Sequence, residues 1–137
     1  MFVDTGGFFA AHVAEDRWHS HAATALQSLL AKRVRLVSTN LVLGETYTLL
    51  RIRYGQAAAW RFMDALDRSP SLQRIQVDAE ADAAAWTLLR RYKDQAFSYV
   101  DATSFAVMRA HKLRRALAFD SHFATAGFSR IPLDTGK

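Results

Sequence analysis

Short apolar runs alternate along the whole chain with longer stretches of helical period. Met1-Phe2-Val3, closed by Asp4, reads as a buried strand over residues 1–4. Gly6-Gly7 predicts a tight turn into a helix near residues 7–14. Asp16 is placed to cap a second helix, in which Ala22, Leu26, Leu29 and Leu30 recur at helical spacing as far as Lys32. Residues 35–38 read as a second strand. Thr39 or Asn40 then caps a helix reaching Tyr54, with Gly55 as its stop, and a further helix spans residues 56–67. Residues 72–77 alternate imperfectly, the mark of an edge strand. Asp78 caps a helix ending near Lys93, and a loop over 94–98 leads into a helix over 99–111. Residues 115–119 form a fourth strand and residues 121–125 a short helix. Residues 130–133 form a terminal edge strand, where Pro132 is tolerated because an edge residue need not donate to the ladder.

Strands alternating with helices imply a mostly parallel sheet with helices on both faces. In such sheets ligands bind beyond the carboxyl ends of the strands. Asp4 and Asp120 both fall at such ends. No composition shift or linker divides the 137 residues, so they read as one domain, residues 1–137, and neither a repeat array nor a disordered chain fits the 50% apolar content.

Charge narrows the range of ligands. The net charge is +5, the pI is near 10.0, and 14 of the 18 basic residues are arginine, a planar fork suited to phosphate and to stacking on bases. A basic surface that serves solubility accounts for the charge equally well. The absence of cysteine excludes disulfides, thiolate catalysis and cysteine-ligated zinc. No apolar run approaches the roughly 18 residues of a membrane span, and no signal-peptide pattern opens the chain, so a soluble cytoplasmic protein is expected.

Four acidic residues stand out against this background. Asp4 and Asp120 end strands, Asp101 opens a helix, and Glu45 interrupts an apolar one. Asp4 and Asp120 are each also placed to cap the helix that follows, and Ser98-x-x-Asp101 has the form of a capping box. Glu45 has Leu41, Thr48, Leu49 and Ile52 near its face and Leu43 and Leu50 opposite, which predicts a largely buried helix. A buried carboxylate needs a cation, and no basic residue lies three or four positions away. The partner is an arginine from elsewhere or a metal. Oxygen ligands without cysteine favour Mg²⁺ or Mn²⁺, which in such a site can activate water and stabilise a phosphodiester during displacement.

The ordered segments Phe2-Val3-Asp4-Thr5, Thr39 to Leu50 around Glu45, Ser98-x-x-Asp101-Ala-x-Ser104-Phe-Ala and Ala118-Phe119-Asp120-x-x-Phe123 resemble the PIN-domain nucleases, most closely the compact VapC-type ribonuclease toxins. The resemblance covers essentially the whole chain. It implies a three-layer α/β/α fold around a mostly parallel sheet of about five strands. It also implies an acidic cluster of Asp4, Glu45, Asp101 and Asp120 holding one or two Mg²⁺ or Mn²⁺ ions, with Thr5 as the small hydroxyl residue that often follows the first aspartate. Gly6-Gly7 departs from the polar turn more usual there. Arg109 and Lys112, two and three turns beyond Asp101, are placed to flank the cleft and hold phosphate. His19-x-His21 is a weaker metal pair, because i,i+2 side chains on a helix diverge.

The leading reading is therefore an Mg²⁺- or Mn²⁺-dependent endoribonuclease, the toxin of a pair whose antitoxin would offer a basic segment to the acidic cleft. A PIN nuclease that processes RNA without an antitoxin is the second reading. A non-catalytic nucleic-acid-binding domain is the third, and four clustered carboxylates beside phosphate argue against it. Two adjacent apolar helices, with Tyr47, Tyr54, Trp60 and Met63 in surplus, predict a homodimer.

Overall fold

The computed structural model describes residues 1–131. Five strands, β1 (Phe2–Val3), β2 (Val37–Thr39), β3 (Gln73–Ile75), β4 (Arg115–Leu117) and β5 (Ser129–Ile131), form one sheet in the order β3-β2-β1-β4-β5, with every pair parallel. The helices are α1 (Thr5–His12), α2 (His19–Ala31), α3 (Asn40–Tyr54), α4 (Gln56–Asp67), α5 (Ala79–Arg91), α6 (Tyr99–Ala110) and α7 (His122–Thr125). The chain steps outward from β1 to β2 and β3, then crosses back to β4 and β5. Right-handed crossovers put α1 to α4 on one face and α5 to α7 on the other. The packing agrees: α1 lies against α2 and α3, α3 against α4, α5 against α6, and α6 against α7. This is the three-layer α/β/α arrangement.

The strand order reverses between β1 and β4, and a parallel sheet opens a crevice at that point. The Asp4 backbone N–H bonds Leu117 O at 3.1 Å, so the first aspartate is fixed where the two central strands part. The central strands bury Phe2, Val3, Ala116 and Leu117 completely, and α6 buries every residue from Asp101 to Met108.

Local chemistry set most boundaries as expected. Thr39 Oγ1 accepts from the Val42 N–H, Gly55 ends α3 at φ +90°, and Asp78 caps α5. Other boundaries moved. Strand β3 stops at Ile75 because β2 has turned into α3, and the Val77 N–H goes to Asn40 Oδ1 instead. Asp16 accepts from the Trp18 N–H, so it closes a turn and α2 begins only at His19. Gly6 and Gly7 are no turn; they lie in the first turn of α1. A Cβ on Gly7 would stand 2.5 Å from Leu117 O, so only glycine lets α1 lie this close to β4. Helix α3 is not buried all round, since Ile52 is 72% exposed. Pro132 and Leu133 of the expected terminal strand lie outside the described residues; β5 begins one residue earlier, at Ser129.

Candidate active site

Asp4, Glu45, Asp101 and Asp120 line one cleft of about 430 Å³ at the carboxyl edge of the sheet. Each arrives on a different element. Asp4 leaves β1 in extended conformation at φ −88°, ψ 166° and precedes α1. It makes no side-chain capping bond, so capping does not explain it. Asp101 occupies the third position of α6 and closes a capping box, its N–H donating to Ser98 Oγ (2.9 Å) and its Oδ2 accepting from the Ser98 N–H (3.0 Å). Here the cap and the cleft coexist, because a helix N-terminus aimed at the crevice puts its capping carboxylate there. Asp120 follows β4 and accepts the His122 N–H at 2.8 Å. Glu45 projects from α3 and accepts from the Thr5 hydroxyl at 2.6 Å. Among the described residues no arginine or lysine pairs with Glu45.

Asp4 is 6% exposed. Burial pushes its carboxyl up to about 7, with repulsion from Asp101, Glu45 and Asp120 adding to the rise and a hydrogen bond from the Thr5 backbone opposing it. His122 Nδ1 lies 3.0 Å from Asp101 Oδ2 and 3.2 Å from Asp120 Oδ1. Ligand atoms of Asp101, Asp120 and His122 lie within 4.8 Å of one another, close enough for one ion. Asp4 and Glu45 line the same cleft.

A crowded carboxylate set, one member of which ionises only near neutrality, gains most from a cation in its midst. The donors are hard oxygens with a single imidazole, and the Thr5 hydroxyl and Ser98 N–H orient two of them. That set fits Mg²⁺ or Mn²⁺.

Other residues of the cleft escaped sequence reasoning. Arg53 lines it, with its guanidinium 5.5 Å from the Phe9 ring centroid. It shares a helical stripe with Glu45 and Leu49 at four-residue steps, a signal the sequence carried. Asp16, Trp18, Phe119 and His122 also line it. Arg109 and Lys112 do not. Helix α6 starts at the cleft and runs away from it, so at 1.5 Å per residue Arg109 lies roughly 12 Å along its axis from Asp101, and Lys112 follows beyond the helix's end at Ala110. Arg109 donates to Ala126 O at 3.3 Å, and Lys112 sits near Met1 and Arg114 at the opposite edge. His19 and His21 form no metal pair: His19 Nδ1 lies 2.8 Å from Ala10 O, and His21 meets Trp18 edge-on.

The PIN-domain family model matches residues 1–129. The chain is 39% identical over 132 residues to the 23S rRNA-specific endonuclease VapC20 of Mycobacterium tuberculosis, covering 96% of this chain and 97% of that protein. The crystal structure of VapC20, described as a sarcin-ricin loop cleaving toxin, superposes with a TM-score of 0.82 at 40% identity, over 93% of this chain and 95% of that one. A VapC ribonuclease of Archaeoglobus fulgidus is 32% identical over 130 residues, 93% of this chain and 81% of that protein. FitAcB of Neisseria gonorrhoeae shares the fold, with a TM-score of 0.70 over 94% of each chain at 14% identity.

Proposed function

The chain belongs to the PIN-domain family, among its VapC-type ribonucleases, and we propose that it hydrolyses RNA phosphodiester bonds at the Asp4–Glu45–Asp101–Asp120 cleft with Mg²⁺ or Mn²⁺ bound there. The observation that carries this reading is the convergence of four carboxylates from four elements on one cleft, with Asp4 buried and hard to ionise without a cation. A divalent ion, when bound, lowers the pKa of a coordinated water and offsets charge on the phosphate. The chain's own residues do the positioning. Asp4 and Asp101 are fixed by strand end and capping box, Thr5 holds Glu45, and His122 lies against both Asp101 and Asp120. Arg53 supplies positive charge for phosphate at the rim.

The partners follow from the same reading: an RNA substrate, and in the cytoplasm an antitoxin whose basic segment occupies the acidic cleft in place of metal. No helix among the described residues is long and apolar enough to cross a membrane. The outer face of α3 and α4 exposes Ile52 (72%), Trp60 (55%), Met63 (47%) and Tyr54 (44%), which supports a homodimer through that face; Tyr47 is instead half-buried against the core. Light scattering should give about twice the 15.4 kDa chain mass, and a stable monomer would remove the dimer from the account.

Cleavage of RNA by the purified protein tests the function. It should require Mg²⁺ or Mn²⁺, stop in EDTA, and vanish in Asp101→Asn with the fold intact. Full activity in EDTA or in that variant would refute the assignment. If expression causes no growth arrest, or a co-expressed neighbouring small reading frame fails to relieve it, RNA processing without an antitoxin replaces the toxin reading.

A further inference from the structure

One rim of the acidic cleft is aromatic. Trp18 and Phe119 both line it, their rings stacked with centroids 5.2 Å apart and planes 11° apart. Phe119 directly precedes Asp120, so the stack adjoins the carboxylates. The indole is well anchored. Asp16 Oδ1 accepts from the Trp18 backbone N–H at 2.8 Å, the Trp18 carbonyl accepts from the Ala22 N–H at 2.9 Å, and the His21 ring packs against it in a T-shaped pair with centroids 5.5 Å apart. Yet neither Trp18 nor Phe119 is fully buried, unlike the core rings Phe2, Phe105 and Phe123. The exposed Arg17 holds its guanidinium 4.9 Å from the indole centroid, so the ring already accepts a flat, electron-poor group.

We propose that Trp18, backed by Phe119, is a stacking subsite for a nucleobase beside the scissile phosphate. This rests on the ribonuclease reading of the cleft. A base on this shelf must leave its own stack and pairing, so the protein would engage an unpaired nucleotide at the cut site. Stacking alone does not choose among bases, because each offers a π face. Arg17 is placed to cover the base or to take the neighbouring phosphate.

Trp18 could instead serve only to pin the start of α2 to the sheet, and the two roles separate in a coupled binding measurement. Fluorescence anisotropy in EDTA would follow a labelled single-stranded RNA of about twelve nucleotides binding to wild type, Trp18→Ala and Trp18→Phe. Parallel RNAs would carry one abasic residue at each position in turn. Trp18→Ala should bind about 10- to 100-fold more weakly, the range expected for one lost base stack, and Trp18→Phe should retain most of the affinity. One abasic position should weaken wild type similarly yet leave Trp18→Ala unaffected.

Equal binding by Trp18→Ala, or additive losses at every abasic position, would overturn the subsite. If Trp18→Ala does not fold, the wild-type scan decides: a scan with no sensitive position overturns the proposal. Cleavage by wild type in Mn²⁺ is read alongside. Coupling without cleavage keeps the subsite and defeats the nuclease reading; cleavage without coupling does the reverse.

Discussion

Asp4→Asn should make the metal-free protein more stable, and the gain should appear only at higher pH. The carboxyl ionises from about 3.8 in the unfolded chain but only at about 7 in the folded one. The difference, about 7 minus 3.8, is about 3 units, and at 1.36 kcal/mol per unit the ceiling is roughly 4 kcal/mol. Between pH 4 and 7 the folded state keeps a proton that the unfolded state has released. The contribution of Asp4 to wild-type stability therefore falls as pH rises through this window and is level on either side of it. Asparagine cannot ionise and still offers an oxygen to the Thr5 backbone. Relaxation and water entry around the buried carboxyl reduce the cost of burial, the main cause of the shift, and solvent at Glu45 and Asp120 screens the smaller repulsion, so about 1–3 kcal/mol is expected at pH 8 and little at pH 4. Urea unfolding in EDTA at pH 4, 6 and 8 measures it. Added Mn²⁺ should then stabilise wild type by mass action and leave the variant nearly unchanged. Equal stability at pH 8, or an advantage that grows toward low pH, would refute the account of Asp4.

Gly7→Ala should cost about 1–3 kcal/mol of stability by forcing α1 off Leu117, whereas Gly6→Ala, whose Cβ would meet nothing closer than 4.0 Å, should cost little; thermal melts of the pair decide. Thr5→Val removes the hydroxyl that orients Glu45 and should weaken Mn²⁺ binding by about tenfold in calorimetry while the fold persists. Arg53→Ala should lower RNA affinity and reduce the salt slope by about one, whereas Arg109→Ala should change neither, because Arg109 lies off the cleft.

The positions of three carboxylates were legible because they sit where secondary structure changes: Asp4 and Asp120 follow apolar strands, and Asp101 sits three residues after a capping serine. Such junctions in a parallel α/β chain gather at one sheet edge, so local pattern and topology together placed them. Glu45 lies inside the continuous helix α3 and stood out only as a carboxylate among apolar neighbours. Caps were legible for the same reason: Thr39, Gly55, Asp78 and Ser98 act on backbone groups only a few residues away. What was missed depends on contacts across long sequence separations. Trp18 meets Phe119 only because the loop after α1 folds over the end of β4. Gly7 looked like a turn because its real constraint, Leu117 O, is 110 residues away in the chain. Arg109 and Lys112 were placed by counting turns from Asp101 without the direction of α6, which points away from the cleft.

Whether these carboxylates hold a divalent ion decides the chemistry proposed for the cleft, and anomalous scattering from a Mn²⁺-soaked crystal reads it out. A peak is expected in the cleft with oxygens of Asp4 and Asp101 within bonding distance, lost in Asp101→Asn. Manganese bound elsewhere, or a cleft without a peak at saturating Mn²⁺, would rule out a metal site there.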